Sequence, residues 1–191
     1  MISDFFETNN YFVDKKNGFQ ESCHIYNEKK ERIGRIKQKL SFIQKVLPTA
    51  FVKSILPFNI EIRSANGGLE ATISRRGSFL KSEIVIQDAS GKKIGFINPN
   101  SSFSKPVFEI LNTSNHVIAE ICDVWKKSNF IINDSSENQI GSIENKWSGK
   151  MKNAAISASG YTVNVMATYS NPEEKTAILS SAIVLNMCFL N

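Results

Sequence analysis

Four stretches of the chain share one pattern of apolar and polar positions. Each carries apolar residues four and two positions before an Asn or Asp, then an Ile six positions after it, a small residue, any residue, and another Ile. The copies are Cys23, Ile25, Asn27, Ile33, Gly34, Ile36; then Ile84, Ile86, Asp88, Ile94, Gly95, Ile97; then Phe108, Ile110, Asn112, Ile118, Ala119, Ile121; then Phe130, Ile132, Asp134, Ile140, Gly141, Ile143. The offsets are the same in every copy. The apolar pair before the Asx alternates with period two, as a half-buried strand does. Asn and Asp start turns because their side chains accept from nearby backbone amides. Each copy therefore predicts a β-hairpin. In the second strand the two Ile stand three apart, which a regular strand would place on opposite faces. Either the small residue marks a bulge, or it faces inward and leaves room for something close by. A buried helix favours the inward reading.

Other stretches alternate as strands. Phe58 to Arg63 is followed by an Asn66-Gly67-Gly68 turn and a return over Leu69 to Ile73, and Tyr161 to Val165 alternates near the end. Tyr11 to Val13 and Trp147 to Met151 are weaker. The count is about twelve strands, unevenly spaced, so the chain is not a uniform solenoid. Asn171, Pro172 and Glu174 then form a helix start, and a largely apolar run extends to Leu190. A helix apolar on nearly every face is buried somewhere. The reading is a mainly β fold: an antiparallel closed barrel of hairpins around a buried C-terminal helix over 172–190. Closure removes exposed strand edges, and a wide barrel needs filling. The alternative for this helix is a C-terminal membrane anchor, although it falls short of about 20 apolar residues. Between the first and second copies, Ile43, Val46, Leu47, Ala50 and Phe51 follow helical spacing around Pro48. That segment reads as a crossover packed on the barrel or as an interfacial membrane helix.

The chain has 191 residues, which suits one domain over 1–191 with residues 1–10 as a flexible tail. The net charge of +5 permits an anionic partner without requiring one. Three well-separated cysteines, Cys23, Cys122 and Cys188, argue against a disulfide framework and for the reducing cytoplasm. The first residues lack a basic stretch and apolar core of the signal-peptide kind.

Catalytic chemistry is not legible. His24 and His116 are the only histidines. His24 adjoins Cys23, but strand neighbours point to opposite faces. There is no Cys-x-x-Cys, no His-Glu-x-x-His and no glycine-rich phosphate loop, so neither cofactor nor metal is expected. The remaining signal is basic. Lys29, Lys30, Arg32, Arg35, Lys37 and Lys39 cluster in the first hairpin, with Arg35, Lys37 and Lys39 sharing the face opposite Ile36. Such a stripe suits anionic phospholipid headgroups or a protein partner. Nucleic acid fits less well, because no aromatic residues for base stacking interleave between Arg32 and Lys39.

The repeated hairpins, Leu56 to Arg63, Lys146-Trp147-Ser148-Gly149, the strand Tyr161 to Val165 and the ending Ala177 to Leu185 together resemble the phospholipid scramblase-related, LURP-one-like group of the tubby-like superfamily. The resemblance implies a twelve-stranded barrel around a hydrophobic C-terminal helix. It also implies a non-enzymatic intracellular binding module, peripheral at the membrane. The alternative it offers is a membrane-anchored protein moving phospholipid between leaflets. Eukaryotic scramblases carry an Asp-rich calcium loop before the last helix, and the matching stretch here, Ser157 to Val165, holds no carboxylate. Calcium activation is therefore not expected.

Overall fold

A computed structural model describes residues 4–14, 22–39, 57–75, 83–99, 108–123, 129–144, 160–168 and 171–186. The strands are β1 (Asn10–Asp14), β2 (Ser22–Tyr26), β3 (Arg32–Lys39), β4 (Phe58–Ser64), β5 (Leu69–Arg75), β6 (Ile84–Asp88), β7 (Lys93–Pro99), β8 (Phe108–Leu111), β9 (Val117–Asp123), β10 (Asn129–Asn133), β11 (Gln139–Glu144) and β12 (Gly160–Val165). A 13-residue helix, α1 (Pro172–Val184), follows them. The helical pattern between Leu40 and Pro57 and the strand expected at Trp147 to Met151 lie outside the described residues, Pro57 excepted.

Each Asx of the repeat closes its turn in the same way. Asn27 Oδ1 accepts from the amides of Lys29 and Glu31, both at 3.0 Å. Asp88 accepts from Ser90 at 2.9 Å and Lys92 at 3.0 Å, and Asn112 from Ser114 at 2.9 Å and His116 at 3.0 Å. Asp134 accepts from Ser136 at 2.8 Å and Asn138 at 2.9 Å. The fourth residue of each turn takes a left-handed conformation: Lys30, Gly91, Asn115 and Glu137.

A bulge follows every turn. Ile25 pairs with Gly34 and Tyr26 with Arg32, so Ile33 is the extra residue. Ile94, Ile118 and Ile140 hold the same place in their hairpins. The bulge resets the strand, and both Ile of the Ile-Gly-x-Ile pattern then reach the core. The two readings of this pattern are thus both present, because Gly34, Gly95 and Gly141 are also buried. What crowds the small residue is not the helix, however. A Cβ on Gly34 would meet Arg63 O at 2.7 Å, and one on Gly95 would meet Leu111 O at 2.5 Å. At Gly141 it would meet Asn164 O still closer. The neighbouring strand's backbone sets the limit, joined at Gly34 by the Phe5 ring.

β4 and β5 form a fifth hairpin on this frame. Ile60, Ile62 and Ser64 stand where the pattern has two apolar residues and an Asx, and Glu70, Ala71 and Ile73 where it has Ile, small and Ile. Ser64 accepts no amide through its side chain; its Oγ bonds Asn66 Oδ1 at 2.7 Å, and its backbone closes the turn. The extra residue of this bulge is Glu70.

All twelve strands pair with their sequence neighbours, and β1 pairs with β12 to close the barrel. Every pairing is antiparallel, so the five hairpin turns sit at one end, here called the turn end. α1 starts there. Asn171 caps it by accepting from the Glu173 amide at 3.0 Å, Pro172 opens it, and Glu173 meets Lys92 of the β6–β7 turn at 2.9 Å. From Lys175 to Asn186 every residue is buried. Thr176 and Ser181 tolerate this because their hydroxyls donate to Pro172 O and Ala177 O, four residues back. The helix therefore fills the barrel. Within the expected tail, Asp4–Phe6 form a 3-10 turn, and Phe5 is 2% exposed against the Tyr11 ring.

Candidate functional site

β3 alternates because its inner face joins the core. Ile36 is 1% exposed, while Arg35 and Lys37 on either side of it are exposed. Across the sheet Arg35 lies between His24 and Arg63, and Lys37 between Ser22 and Glu61. Arg63 is committed elsewhere: its Nε donates to Glu61 Oε2 at 2.8 Å and its Nη1 to Gly67 O at 2.9 Å. The side chains of Arg35 and Lys37 form no hydrogen bond or ion pair among the described residues. Lys39 ends the strand opposite Asn59. Lys29, Lys30 and Arg32 are exposed around the turn. The six basic residues thus divide into a turn group and a strand group.

The turn group borders a cleft of about 970 Å³ at the turn end. Its walls are the N-terminal segment from Phe5 to Asn9, the β2–β3 turn and the β4–β5 turn. Lys29 and Arg32 line it together with Glu7, Glu28, Glu31 and Glu70. Glu28 accepts from the Asn10 side-chain amide, and Glu31 accepts from Asn27 Nδ2 at 2.8 Å. Tyr26, on β2, has its phenol pushed up by burial and by the Asp14 charge, with Arg32 opposing. The cleft residues Glu7 and Glu70 escape a sequence reading because the three wall segments meet through the pairings of β1 with β2 and of β3 with β4. The available signal was the fifth hairpin, hidden by Ser64 and Glu70 in place of Asx and Ile.

Cys23 faces the core and His24 the outside, where its ring lies 6.3 Å from that of Tyr26. His116 is exposed in its turn. Among the described residues no three His, Cys, Asp or Glu side chains are grouped to hold a metal, and no helix is long and apolar enough to cross a membrane.

Comparison with known proteins places this architecture. Residues 2–191 match the sequence model of the Scramblase family. The chain belongs to the Scramblase family. A solved protein structure from Arabidopsis thaliana aligns over 97% of this chain and 98% of its own, with a TM-score of 0.54 at 8% identity. At that identity the likeness is one of fold, the tubby-like, LURP-type barrel. No curated protein sequence matches the chain significantly. Of the stretch matching the Scramblase calcium loop, Gly160–Val165 is β12, with Tyr161, Val163 and Val165 buried; residues 157–159 lie outside the described residues.

Proposed function

We propose that the chain is a non-enzymatic binding module that docks on anionic phospholipid through the outer face of β3 and the β2–β3 turn. The observation that carries this reading is the pair Arg35 and Lys37: exposed, on one face, two residues apart on a strand fixed from behind by Ile36, and free of ion pairs among the described residues. A basic side chain near an anionic surface contributes about 1 kcal/mol. Family membership supports a lipid as the ligand. The reading makes the chain cytoplasmic and peripheral at a membrane. Burial of α1 inside the barrel favours it over an anchored lipid mover: 13 residues span about 20 Å against a hydrocarbon core of about 30 Å.

Flotation with neutral and anionic vesicles at low and high salt tests this. The expected result is binding to anionic vesicles alone, reversed by salt, because exposed charges are screened. Reversing Arg35, Lys37 and Lys39 to Glu removes about 3 kcal/mol or more, roughly a hundredfold in partitioning. Unchanged binding of that variant, or salt-resistant binding to both vesicle types, overturns the proposal. Absence of binding to either turns the assignment to a protein partner.

A further inference from the structure

The basic face of β3 continues onto β2, and the residue that meets it there is a histidine. His24 pairs with Arg35 in the register of the two strands. Its ring lies on the outer surface, 6.3 Å from that of Tyr26. His24 is half-buried, so solvent protons reach it, while Arg35 and Lys37 beside it are exposed. On the other side, Val13 of β1 pairs with Ile25, and the antiparallel register brings Asp14 alongside His24. Asp14 is 1% exposed.

The charged groups facing His24 among the described residues are therefore Asp14 from β1, and Arg35 from β3 with Arg32 and Lys37 to either side. The carboxylate favours the imidazolium and the cations oppose it. Imidazole is the side chain whose ordinary titration falls between pH 5 and 8. The neighbouring Tyr26 does not titrate there: burial first, and the Asp14 charge second, hold its phenol above the ordinary 10.0 against the pull of Arg32. Protonation of His24 thus adds one positive charge to a face that already presents Arg32, Arg35 and Lys37. The other histidine of the chain, His116, is exposed in the turn between β8 and β9, which do not neighbour β2 or β3 in the barrel.

We infer that His24 makes the docking face proton-sensitive: its protonation strengthens attachment to an anionic membrane, and attachment draws a proton onto its ring. The inference rests on the docking reading above and adds regulation to it. An anionic surface binds the charged imidazole better than the neutral one, and this coupling is reciprocal.

Partitioning of the whole chain onto phosphatidylcholine vesicles, with and without phosphatidylglycerol, at pH 5.5 and 7.5 and constant low salt tests it. Phosphatidylglycerol keeps its charge over this range, which brackets the ordinary imidazole value of about 6.5. The expected result is partitioning onto the anionic vesicles about three- to fourfold stronger at pH 5.5, the effect of one further basic charge near the surface. H24Q binds at pH 7.5 as the native chain does and loses most of the pH step, whereas H116Q keeps it. H24K binds at pH 7.5 about as the native chain does at pH 5.5. Calorimetry in two buffers of different ionisation enthalpy gives the second readout: at pH 6.5 the native chain takes up about 0.3 proton more on binding than H24Q does. Equal binding of the native chain to anionic vesicles at both pH values, or an H24Q variant that keeps the full pH step and proton uptake, overturns the inference and leaves the docking reading standing. A native chain that binds neither vesicle type at either pH overturns both.

Discussion

Lys175, inside the barrel on α1, donates from Nζ to Asn9 Oδ1 at 2.9 Å. Its other acceptor is Phe6 O at 3.4 Å, and no carboxylate pairs with it among the described residues. Asn9 in turn accepts the Val165 amide through its backbone oxygen at 2.8 Å. One residue before β1 thus ties the end of β12 and the start of the helix to the N-terminal segment.

Lys175 is 6% exposed, and burial holds the pKa of its ammonium below the ordinary 10.5. The unfolded chain binds the proton more tightly, so stability rises with pH between the lowered folded value and the ordinary unfolded one. Lys175→Met removes a buried charge at the cost of two hydrogen bonds to neutral oxygens. The expected gain at neutral pH is about 1 kcal/mol, or about 2–4 °C in Tm. Thermal unfolding at pH 7 and pH 10 checks this: the native chain gains stability on that pH step and the variant does not. A variant less stable than the native chain at pH 7 would show that the clasp to Asn9 outweighs the buried charge.

The bulge glycines are set by a neighbouring carbonyl. Gly141→Ala pushes a Cβ into Asn164 O and Ile132 Cδ1, and backbone has little freedom to move away. Forced overpacking of this kind costs about 1–3 kcal/mol. Ala119 stands at the same position of the β8–β9 hairpin and is 0% exposed, so there the frame accommodates a methyl group. Ala119→Gly is expected to cost only about 1 kcal/mol. Urea unfolding of the two variants decides; equal losses would place the constraint elsewhere.

Much of this frame was legible because its signals are local. A turn needs an Asx at its start, and a bulge needs Ile, a small residue and Ile at fixed offsets. Four hairpins, the closing strands and the apolar helix followed from those offsets and from the need to fill a wide barrel. The β4–β5 hairpin was recognised as a strand pair but not as a copy, because Ser64 keeps only the backbone bonds that every one of these turns makes, while Asn66, two residues later, accepts the Gly68 amide. The purpose of the small residue was misassigned to the helix, since nothing local reports how closely the next strand's carbonyl approaches. The cleft was invisible for the same reason. Glu7, Glu31 and Glu70 converge through strand pairing, not spacing.

The Asx turns carry a measurable share of stability. Asn112→Ala removes the acceptor for two exposed amides, which water then partly satisfies, so a loss of about 1 kcal/mol is expected from chemical denaturation. Asp134 does the same work as a carboxylate. The Asn138 side chain, then the amides of Asn138 and Ser136, hold its pKa below the ordinary 3.8. Its contribution is therefore complete above that ordinary value and fades as pH falls through the lowered one. Asp134→Asn should flatten the acid limb of the stability profile; an unchanged limb would remove Asp134 from the account of acid sensitivity.

The helix is the part of the core contributed by a single continuous segment. Ala177, Ile178, Leu179, Ala182, Ile183 and Val184 are each at most 1% exposed, surrounded by inward residues such as Ile86, Ile97 and Ile110. A chain ending at Asn171 leaves those strand faces lining a void that water fills, and the strands cannot collapse onto one another without breaking the ladder that closes the ring. Such a chain is expected to show no cooperative unfolding transition by circular dichroism. The milder Ile183→Ala leaves the helix in place and costs about 2–5 kcal/mol, with a transition that remains cooperative. A truncated chain that stays folded would mean that the barrel stands without its filling, and that the helix is free to act outside it.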